Sequence, residues 1–165
     1  MEEVADVPAA IVVWKQAFTL GLYANGAAVA DGLTSCFAVA LGGAPVGDKL
    51  RRGDEHTPEG RFRVTHKNPN SSFHLSLGLS YPDAPHADAA FSAGIIDAAT
   101  RSRIRKVDAA HTMPLRTTAM GGDIYIHGGG PLPNDWTDGC IALENTAIER
   151  VYAWATPGTT VLVLP

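Results

Sequence analysis

Short apolar segments separated by turn-forming residues run through the first third of the chain. Segments 11–15 and 17–23 alternate between apolar and polar residues or are continuously apolar. An Asn-Gly pair at 25–26, a strong signal for a tight hairpin turn, leads into 27–33, and 37–41 is a further apolar run. These lengths and this spacing predict a mainly β protein that begins with a hairpin.

The middle and the end of the chain continue this strand pattern. A polar loop over 47–60 precedes predicted strands at 61–66 and 73–79. A Tyr-Pro pair at 81–82 stops the second of these, because proline cannot donate to a strand ladder. The last apolar segment, 159–164, predicts a closing strand.

Two segments change to the helical period. Within 87–107, small and apolar residues recur at spacings of three and four, which predicts one amphipathic helix. A second helix is predicted from about Thr146, where Thr146 and Glu149 have the spacing of a capping box. A Pro-Gly pair at 157–158 ends that helix.

Length and composition indicate one ordinary globular domain. The chain has 165 residues, of which 45% are hydrophobic and 18% are charged, which excludes an intrinsically disordered protein. We expect a flexible leader over 1–10 and a single domain over 11–165. The net charge of −4 argues against nucleic-acid and anionic-membrane partners. No apolar run is long enough to span a bilayer, and no export signal opens the sequence.

The candidate chemistry lies in segment 124–145, which reads IYIHGGGPLPNDWTDGCIALEN. His127 ends a short apolar stretch, and Cys140 follows thirteen residues later. A thiol whose proton is taken by an imidazole is a far better nucleophile, so this pair predicts nucleophilic catalysis. Gly128 and Gly139 flank the pair, and glycine lets backbone N–H groups approach a developing oxyanion without a Cβ in the way.

The two cysteines have different surroundings. Cys36 lies in the small and apolar stretch LTSCFAVAL and is expected to be a buried packing residue in a strand. Cys140 lies among glycine and polar residues after a proline-rich loop, which favours a chemical role. Two cysteines are too few for a disulfide-stabilised scaffold.

Alternation along the strand predicts where the imidazole of His127 points. Side chains along 123–127 alternate between two faces, so His127 points away from the two isoleucines of this segment, outward or into a cleft. Asp123 lies about 13 Å along the strand, too far to bond to the imidazole directly. Asp135, Asp138 and a backbone carbonyl remain as partners that would orient the ring.

These residues resemble the signature of the L,D-transpeptidase catalytic domain (YkuD-like) family. That signature is a strand-ending His-Gly, a loop, then Ser/Thr-X-Gly-Cys with an apolar residue, and a nearby Asn. Here it corresponds to His127-Gly128, to Thr137-Asp138-Gly139-Cys140-Ile141 and to Asn145. The resemblance extends over residues 11–165, through KQAFTLGLYANG, VALGGAPVGDK, GDEHTPEGRFRV, SSFHLSLGLSYP and PGTTVLVLP. The chain is most similar to the branch with Asp or Ala in place of the His of Ser-His-Gly-Cys.

The resemblance implies a β-sandwich or partly closed barrel of mixed strands, with a helical insert and a helix after the catalytic Cys. It also implies acyl transfer on peptidoglycan stem peptides in cell-wall remodelling. Cys140 would attack the carbonyl at the L-centre of diaminopimelate, and His127 would act as general base and then protonate the departing D-alanine. Backbone N–H groups of Gly139 and Cys140 would form the oxyanion hole, and the thioester would pass to an amine acceptor.

The same resemblance implies carbapenem β-lactams as covalent inhibitors and a location in the periplasm or cell envelope, after removal of an export signal. We expect a monomer with no cofactor and no nucleic-acid partner. No metal is expected either, because four further histidines lack metal-ligand spacing: His56, His66, His86 and His111.

Further residues are candidates for the substrate pocket. His74 resembles a family position beside the active site, and the alternative is a strand histidine bonded to its neighbours. Tyr81 and Trp136 would form aromatic walls for a stem peptide, or would serve packing alone. Thr137 and Asn145 belong to the signature itself.

Three departures from the family pattern bear on substrate choice. Asp138 replaces a more frequent His, and a carboxylate there would raise the pKa of Cys140 or orient His127. Ala142 stands where many members have Arg, so recognition of a substrate carboxylate would need another cation, namely Lys67, Arg61 or Arg116. The helix over 87–107 resembles an inserted cap, and the loop between His127 and Cys140 is short.

Two other functional classes stay open. The same Cys–His pair would serve a hydrolase, either an L,D-carboxypeptidase or an amidase, on peptidoglycan or its protein adducts, because only the acceptor differs. The other class is a non-catalytic wall-binding module that kept the fold. The complete Cys–His–Gly set argues against that second class.

Overall fold

The computed structural model describes residues 7–29, 36–130 and 135–165, and within these ranges the chain forms nine strands and three helices. The strands are β1 (Ala9–Trp14), β2 (Thr19–Ala24), β3 (Ala27–Ala28), β4 (Cys36–Ala38), β5 (Gly60–Ser71), β6 (His74–Leu79), β7 (Tyr125–His127), β8 (Ile141–Ala142) and β9 (Thr160–Leu164). The helices are α1 (Ala84–Ser92), α2 (Ala98–Ala109) and α3 (Asn145–Trp154). The predicted mainly β class is confirmed.

The described strands form one mixed sheet in the order β3-β2-β1-β9-β5-β6-β7-β8, with β4 paired to β2. β1 pairs antiparallel with β2 and parallel with β9, which brings the end of the chain beside its beginning. β6 pairs antiparallel with β7, and β7 pairs parallel with β8. Isolated bridges join Ala40 to Ala142 and Gly42 to Thr137, but the sheet does not close into a barrel.

The hairpin of β2 and β3 follows the predicted turn chemistry with shifted boundaries. The turn from β2 into β3 has positive φ at Asn25 (49°) and at Gly26 (77°), as a tight hairpin turn requires. β1 begins at Ala9, so the predicted leader over 1–10 extends two residues too far. Residues 1–6 of that leader, and 30–33 of the strand predicted over 27–33, lie outside the described residues.

The buried position predicted for Cys36 is wrong. Cys36 begins β4 and is exposed, whereas its neighbour Phe37 is buried. Alternation along the strand explains the difference, because Phe37 faces the core opposite Leu20 of β2 and turns Cys36 and Ala38 outward. The apolar run predicted the strand correctly but did not identify its buried face.

The single helix predicted over 87–107 is in fact two helices, α1 and α2. Between them Gly94 adopts a φ of +71°, a conformation that interrupts the helix and that glycine tolerates. Asp83 and Asp97 begin the two helices, since each carboxylate accepts the backbone N–H three residues further on. None of the helices in the described ranges has the length and apolarity needed to cross a membrane.

The helix predicted from about Thr146 is confirmed as α3, but its capping box is not formed. Glu144 is the N-cap and makes no side-chain hydrogen bond to the first turn. Glu149 instead bonds to His74 of β6, with 2.7 Å between Oε1 and Nε2. Ile148 and Val151 are buried, so apolar packing anchors the helix on the sheet.

A partly buried ionic cluster ties the polar loop 47–60 to α1. The His86 ring lies between Asp83 (Nδ1 to Oδ1, 2.5 Å) and Asp48 of the loop (Nε2 to Oδ1, 3.2 Å). Burial disfavours the charged imidazole, but hydrogen bonds with Asp48 and Asp83 outweigh it and raise the pKa of His86 to about 9. The cluster is therefore charged at neutral pH and stabilises the loop as part of the fold.

Candidate active site

An open cleft of about 510 Å³ lies beside β6 and β7 and contains both candidate catalytic residues. The end of the β5–β6 hairpin forms one wall, and residues 123–127 with Cys140 form the other. The lining residues are Asn68, Asn70, Ser71, Ser72, Phe73, Ser76, Asp123, Tyr125, His127 and Cys140. The fold thus brings His127, at the end of β7, and Cys140, just before β8, to the same cavity.

His127 is buried, and its ring has a defined orientation. Nδ1 lies 2.6 Å from the carbonyl oxygen of Gly128, so a backbone carbonyl, rather than Asp135 or Asp138, orients the imidazole. Because a carbonyl oxygen can only accept, Nδ1 carries the proton and Nε2 keeps its lone pair. Phe73 stacks on the ring with 4.6 Å between centroids, an apolar contact that excludes water from one face.

The thiol of Cys140 makes its hydrogen bonds with the backbone beside β7. Sγ lies 3.5 Å from the carbonyl oxygen of Asp123, to which it donates, and 3.4 Å from the N–H of Tyr125, from which it accepts. It makes no hydrogen bond to His127, although both residues line the cleft. The structure therefore shows a resting thiol rather than a preformed thiolate–imidazolium pair.

The pKa shifts of the two residues agree with this resting state. Burial raises the pKa of Cys140 to about 11, the charges of Asp138 and Asp123 add to the rise, and the Tyr125 N–H opposes it. Burial lowers the pKa of His127, and the Gly128 carbonyl opposes this shift only in part. At neutral pH both side chains are uncharged, so Nε2 of His127 is free to accept a proton.

Gly139 permits the turn that presents Cys140. Its φ is +123°, and a Cβ there would lie 2.6 Å from the carbonyl oxygen of His56, so only glycine fits. The Gly139 N–H donates to Oγ1 of Thr137 at 3.1 Å, and the Thr137 hydroxyl donates to the carbonyl of Cys140 at 2.7 Å. In this conformation the Gly139 N–H is not available as the oxyanion donor that the sequence analysis expects. The Cys140 N–H has no acceptor in the part of the chain that the structure describes.

Gly128 and Asn145 shape the wall behind His127. A Cβ on Gly128 would lie 2.6 Å from the carbonyl oxygen of Phe73 and 2.7 Å from Oδ1 of Asn145. The Gly128 N–H donates to the carbonyl of Leu75, at 3.1 Å, as part of the strand pairing and not into the cleft. Asn145 Oδ1 accepts from the Gly129 N–H at 3.0 Å and so anchors the chain after the histidine to the start of α3.

The three ring-bearing residues predicted to line the substrate pocket lie in different surroundings. Trp136 meets the His127 ring edge-on, at 5.8 Å between centroids, and donates from Nε1 to the carbonyl of Gly130. His74 is exposed, bonds to Glu149 and does not line the cleft. Tyr81 as a pocket wall is wrong: it is fully buried in the core, where its hydroxyl donates to the carbonyl of Met120.

Two aromatic residues of the cleft were not singled out from the sequence. Phe73 stacks on His127 from the β5–β6 hairpin, and Tyr125 lines the cleft two residues before His127. Strand alternation does identify Tyr125, because it shares a face with His127. No local pattern identifies Phe73, since it meets the histidine only through the pairing of β6 with β7.

The three cations considered for carboxylate recognition have different roles. The Lys67 ammonium donates to two backbone carbonyls at the end of α3, where it interacts favourably with the helix dipole. Arg61 is exposed on β5 and does not line the cleft. Arg116 does not line the cleft either, but its Nε lies 2.5 Å from Oδ1 of Asp123, a lining residue.

The L,D-transpeptidase catalytic domain family (YkuD) matches residues 8–163 of this chain. The chain belongs to this family. The match runs from the residue before β1 into β9 and includes both Cys140 and His127, so it confirms the resemblance read from the motif. No curated protein matches the chain at a significant level.

Solved structures share this fold at low sequence identity. The helical cell shape determining protein Pgp2 from Campylobacter jejuni is 24% identical, with a TM-score of 0.61, over 94% of this chain and 46% of that one. L,D-transpeptidase 3 from Mycobacterium tuberculosis, in complex with a faropenem-derived adduct, is 14% identical, with a TM-score of 0.54, over 96% and 60%. LD transpeptidase LdtMt1, in complex with imipenem, is 15% identical, with a TM-score of 0.52, over 95% and 59%. The chain thus spans about half the length of these proteins.

Proposed function

We propose that this chain catalyses cysteine-dependent acyl transfer on peptidoglycan stem peptides, as an L,D-transpeptidase of the periplasm or cell envelope. The observation that carries the proposal is the cleft shared by Cys140 and His127, in which Nε2 keeps its lone pair and the Cys140 N–H has no acceptor among the described residues. Membership of the YkuD family supports this class of reaction. Cys140 is the proposed nucleophile and His127 the proposed general base.

Acylation begins when the Cys140 thiol leaves the carbonyl of Asp123 and turns toward Nε2 of His127. The sulfur attacks the carbonyl at the diaminopimelate L-centre, its proton passes to Nε2, and the carbonyl oxygen becomes an oxyanion. Because the pKa of Cys140 is raised and that of His127 is lowered, a separate thiolate is unfavourable. Proton transfer therefore accompanies formation of the C–S bond.

The Cys140 N–H is the proposed first donor to the oxyanion. It belongs to the nucleophile itself, and a backbone donor held in place by the fold needs no reorganisation as charge develops. Gly139 would join it only if its N–H left the hydroxyl of Thr137. Thr137 is thereby proposed as the residue that holds the turn, with Asn145 holding the chain after His127.

His127 acts as an acid when the thioester forms and as a base when the thioester is resolved. The C–N bond to D-alanine breaks, and the proton on Nε2 passes to the departing amine. An acceptor amine next attacks the thioester, loses a proton to Nε2, forms the new amide and releases the Cys140 thiol. Water in place of the amine would give a free carboxylate, which is the L,D-carboxypeptidase reaction.

The cleft walls suit a peptide substrate. Asn68, Asn70 and Ser76 supply hydrogen-bonding side chains, and Phe73 supplies aromatic surface beside His127. Trp136 packs against both of these rings without lining the cleft. We also propose carbapenems as covalent inhibitors of this chain, since their strained carbonyl would meet the same nucleophile. The imipenem complex of LdtMt1 and the faropenem-derived adduct of L,D-transpeptidase 3 support this proposal.

The deciding experiment is mass spectrometry of the products formed from purified disaccharide-tetrapeptide. A cross-linked dimer with release of D-alanine is the expected result. Disaccharide-tripeptide without dimer would indicate that the chain is a carboxypeptidase and not a transferase. Unchanged substrate, together with a Cys140 that fails to react with carbapenem, would exclude both enzymes and favour the non-catalytic wall-binding module. Cys140→Ala protein is the matched control in every case.

A further inference from the structure

A second cavity, of about 400 Å³, opens between the helical insert, formed by α1 and α2, and residues 115–119, which lead toward β7. The turn before α2 and the first half of that helix form one wall, and residues 115–119 form the other. Ile95, Ile96 and Leu115 supply its apolar surface, and Thr100, Arg103 and Arg116 supply its polar groups. The proposed acyl transfer uses none of these residues.

Arg116 connects this cavity to the catalytic cleft. Its Nε lies 2.5 Å from Oδ1 of Asp123, and Asp123 lines the cleft. The carbonyl oxygen of Asp123 also accepts from the Cys140 thiol at 3.5 Å. The second cavity is therefore connected, through the ion pair of Arg116, to the residue that holds the Cys140 thiol.

The two guanidinium groups of the cavity retain unused donors. Arg116 bonds to Asp123 through Nε, which leaves both terminal nitrogens without an acceptor in the described ranges. Arg103 makes no ion pair among the described residues, whereas its neighbours Arg101 and Arg105 both bond to Asp88.

The carboxylates near these arginines are already engaged. Asp97 caps α2 by accepting the Thr100 N–H at 2.7 Å, and Asp123 accepts from Arg116. The cavity thus offers two guanidinium groups next to apolar surface. Its one lining carboxylate, Asp97, is used to cap α2, and its charge also interacts with that of Arg103. A guanidinium binds a carboxylate through two parallel hydrogen bonds, which makes a substrate carboxylate the matching group.

We propose that this cavity is a subsite for a carboxylate of an acidic peptide substrate, with Arg103 and Arg116 as its specificity-determining residues. The proposal rests on the proposed function, because stem peptides carry free carboxylates close to the bond that is cleaved. The methylene groups beside such a carboxylate would pack on Ile95 and Leu115. The helical insert is then part of the substrate site rather than a structural addition.

Binding in the absence of turnover tests the subsite. Isothermal titration calorimetry would measure the affinity of Cys140→Ala protein for an acidic stem tetrapeptide and for the same peptide amidated at its free carboxylates. We expect amidation to weaken binding, and Arg103→Gln and Arg116→Gln each to weaken binding of the acidic peptide by roughly 10-fold or more. The amidated peptide should bind these variants as it binds their parent. In the active enzyme, Arg103→Gln should raise KM with little change in kcat.

Arg103 provides the decisive variant, because Arg116→Gln would also release Asp123 beside the thiol. Lys106→Gln, on the same helix but outside the cavity lining, is the matched control and should bind both peptides normally. Thermal melting would verify that each variant is folded. Unchanged discrimination in Arg103→Gln, or equal loss in Lys106→Gln, would overturn the subsite. Arginine-dependent binding without any product would instead overturn the proposed function and leave the subsite standing.

Discussion

The Cys140 thiol donates to the carbonyl oxygen of Asp123 at 3.5 Å and does not bond to His127. Cys140, the proposed nucleophile, is therefore held as a neutral thiol in this structure. The carbonyl that holds it belongs to a residue with a φ of +56°, whose side chain is bound by Arg116. In the proposed mechanism, activation begins with the release of the thiol from this carbonyl.

The resting thiol should react slowly with alkylating agents. Because the pKa of Cys140 is about 11, its labelling by iodoacetamide should be slow at pH 7 and rise steeply toward pH 11. His127→Ala should change this rate by no more than about twofold, since the two side chains share no hydrogen bond. Peptide mass spectrometry would follow Cys140, with the exposed Cys36 as internal reference. Rapid labelling at pH 7 that is lost in His127→Ala would indicate a preformed ion pair instead.

Substitution of the two cysteines should separate chemistry from packing. Cys140→Ala should reduce turnover to background while the thermal transition is retained. Cys36→Ala should keep full activity and change stability by less than about 0.5 kcal/mol, because Cys36 is exposed and its removal leaves no cavity. Product analysis and calorimetry of both variants would check this. Residual turnover in Cys140→Ala well above background would remove it from the role of nucleophile.

The pH dependence of kcat/KM should show the titration of His127. Only the neutral imidazole accepts a proton, and burial lowers its pKa, so the rate should rise through a midpoint below the ordinary value of about 6.5. His127→Ala should flatten this rise and slow acylation by roughly 100-fold or more. An unchanged profile in His127→Ala would assign the ionisation to another group.

Removal of the aromatic ring stacked on His127 should move that midpoint. Phe73→Ala would expose the imidazole to water, relieve the desolvation and return its pKa upward, so the acid limb should shift to higher pH. Phe73→Leu, which keeps an apolar cover, should shift the limb less. NMR titration of the His127 ring would give the same pKa directly. A midpoint that stays constant in both variants would show that Phe73 contributes packing alone.

Carbapenems should acylate Cys140. Imipenem or meropenem should add one drug mass to the intact protein, with no adduct in Cys140→Ala and slower formation in His127→Ala. Peptide mapping would locate the adduct. Its appearance on Cys36 would contradict the assignment of the two cysteines. Absence of any adduct despite turnover would indicate a cleft too narrow for the drug.

The ion cluster at His86 should make stability depend on pH. The pKa of His86 is about 9 in the fold, above the unfolded value of about 6.5, so its contribution is complete below pH 6.5 and is lost as pH rises toward 9. The free energy of unfolding should fall over this interval by at most roughly 3 kcal/mol. Urea unfolding between pH 6 and 9 would measure the slope. His86→Gln should lower stability at pH 6 and flatten the slope, and an equal slope in both proteins would refute the assignment.

Features that depend on neighbouring residues could be predicted from the sequence. Strand and helix periods placed most elements, and turn chemistry at 25–26 located the second hairpin turn. The spacing of His127, Gly139 and Cys140 pointed to the family, because the histidine, the cysteine and the glycine between them lie in one short segment. These are local properties, and a residue's chain neighbours are sufficient to reveal them.

Contacts between residues far apart in the chain could not be predicted, because the folded arrangement of the strands creates them. The order of strands places Phe73 on His127, buries Tyr81 under α1 and the sheet, and turns Glu149 from a helix cap into a partner of His74. It likewise brings Arg116 to Asp123 at the edge of the cleft. The hydrophobic period of the sequence does not predict such contacts. Strand alternation defines two faces but does not show which face is covered. Pairing across the sheet also joins residues that no local sequence pattern relates.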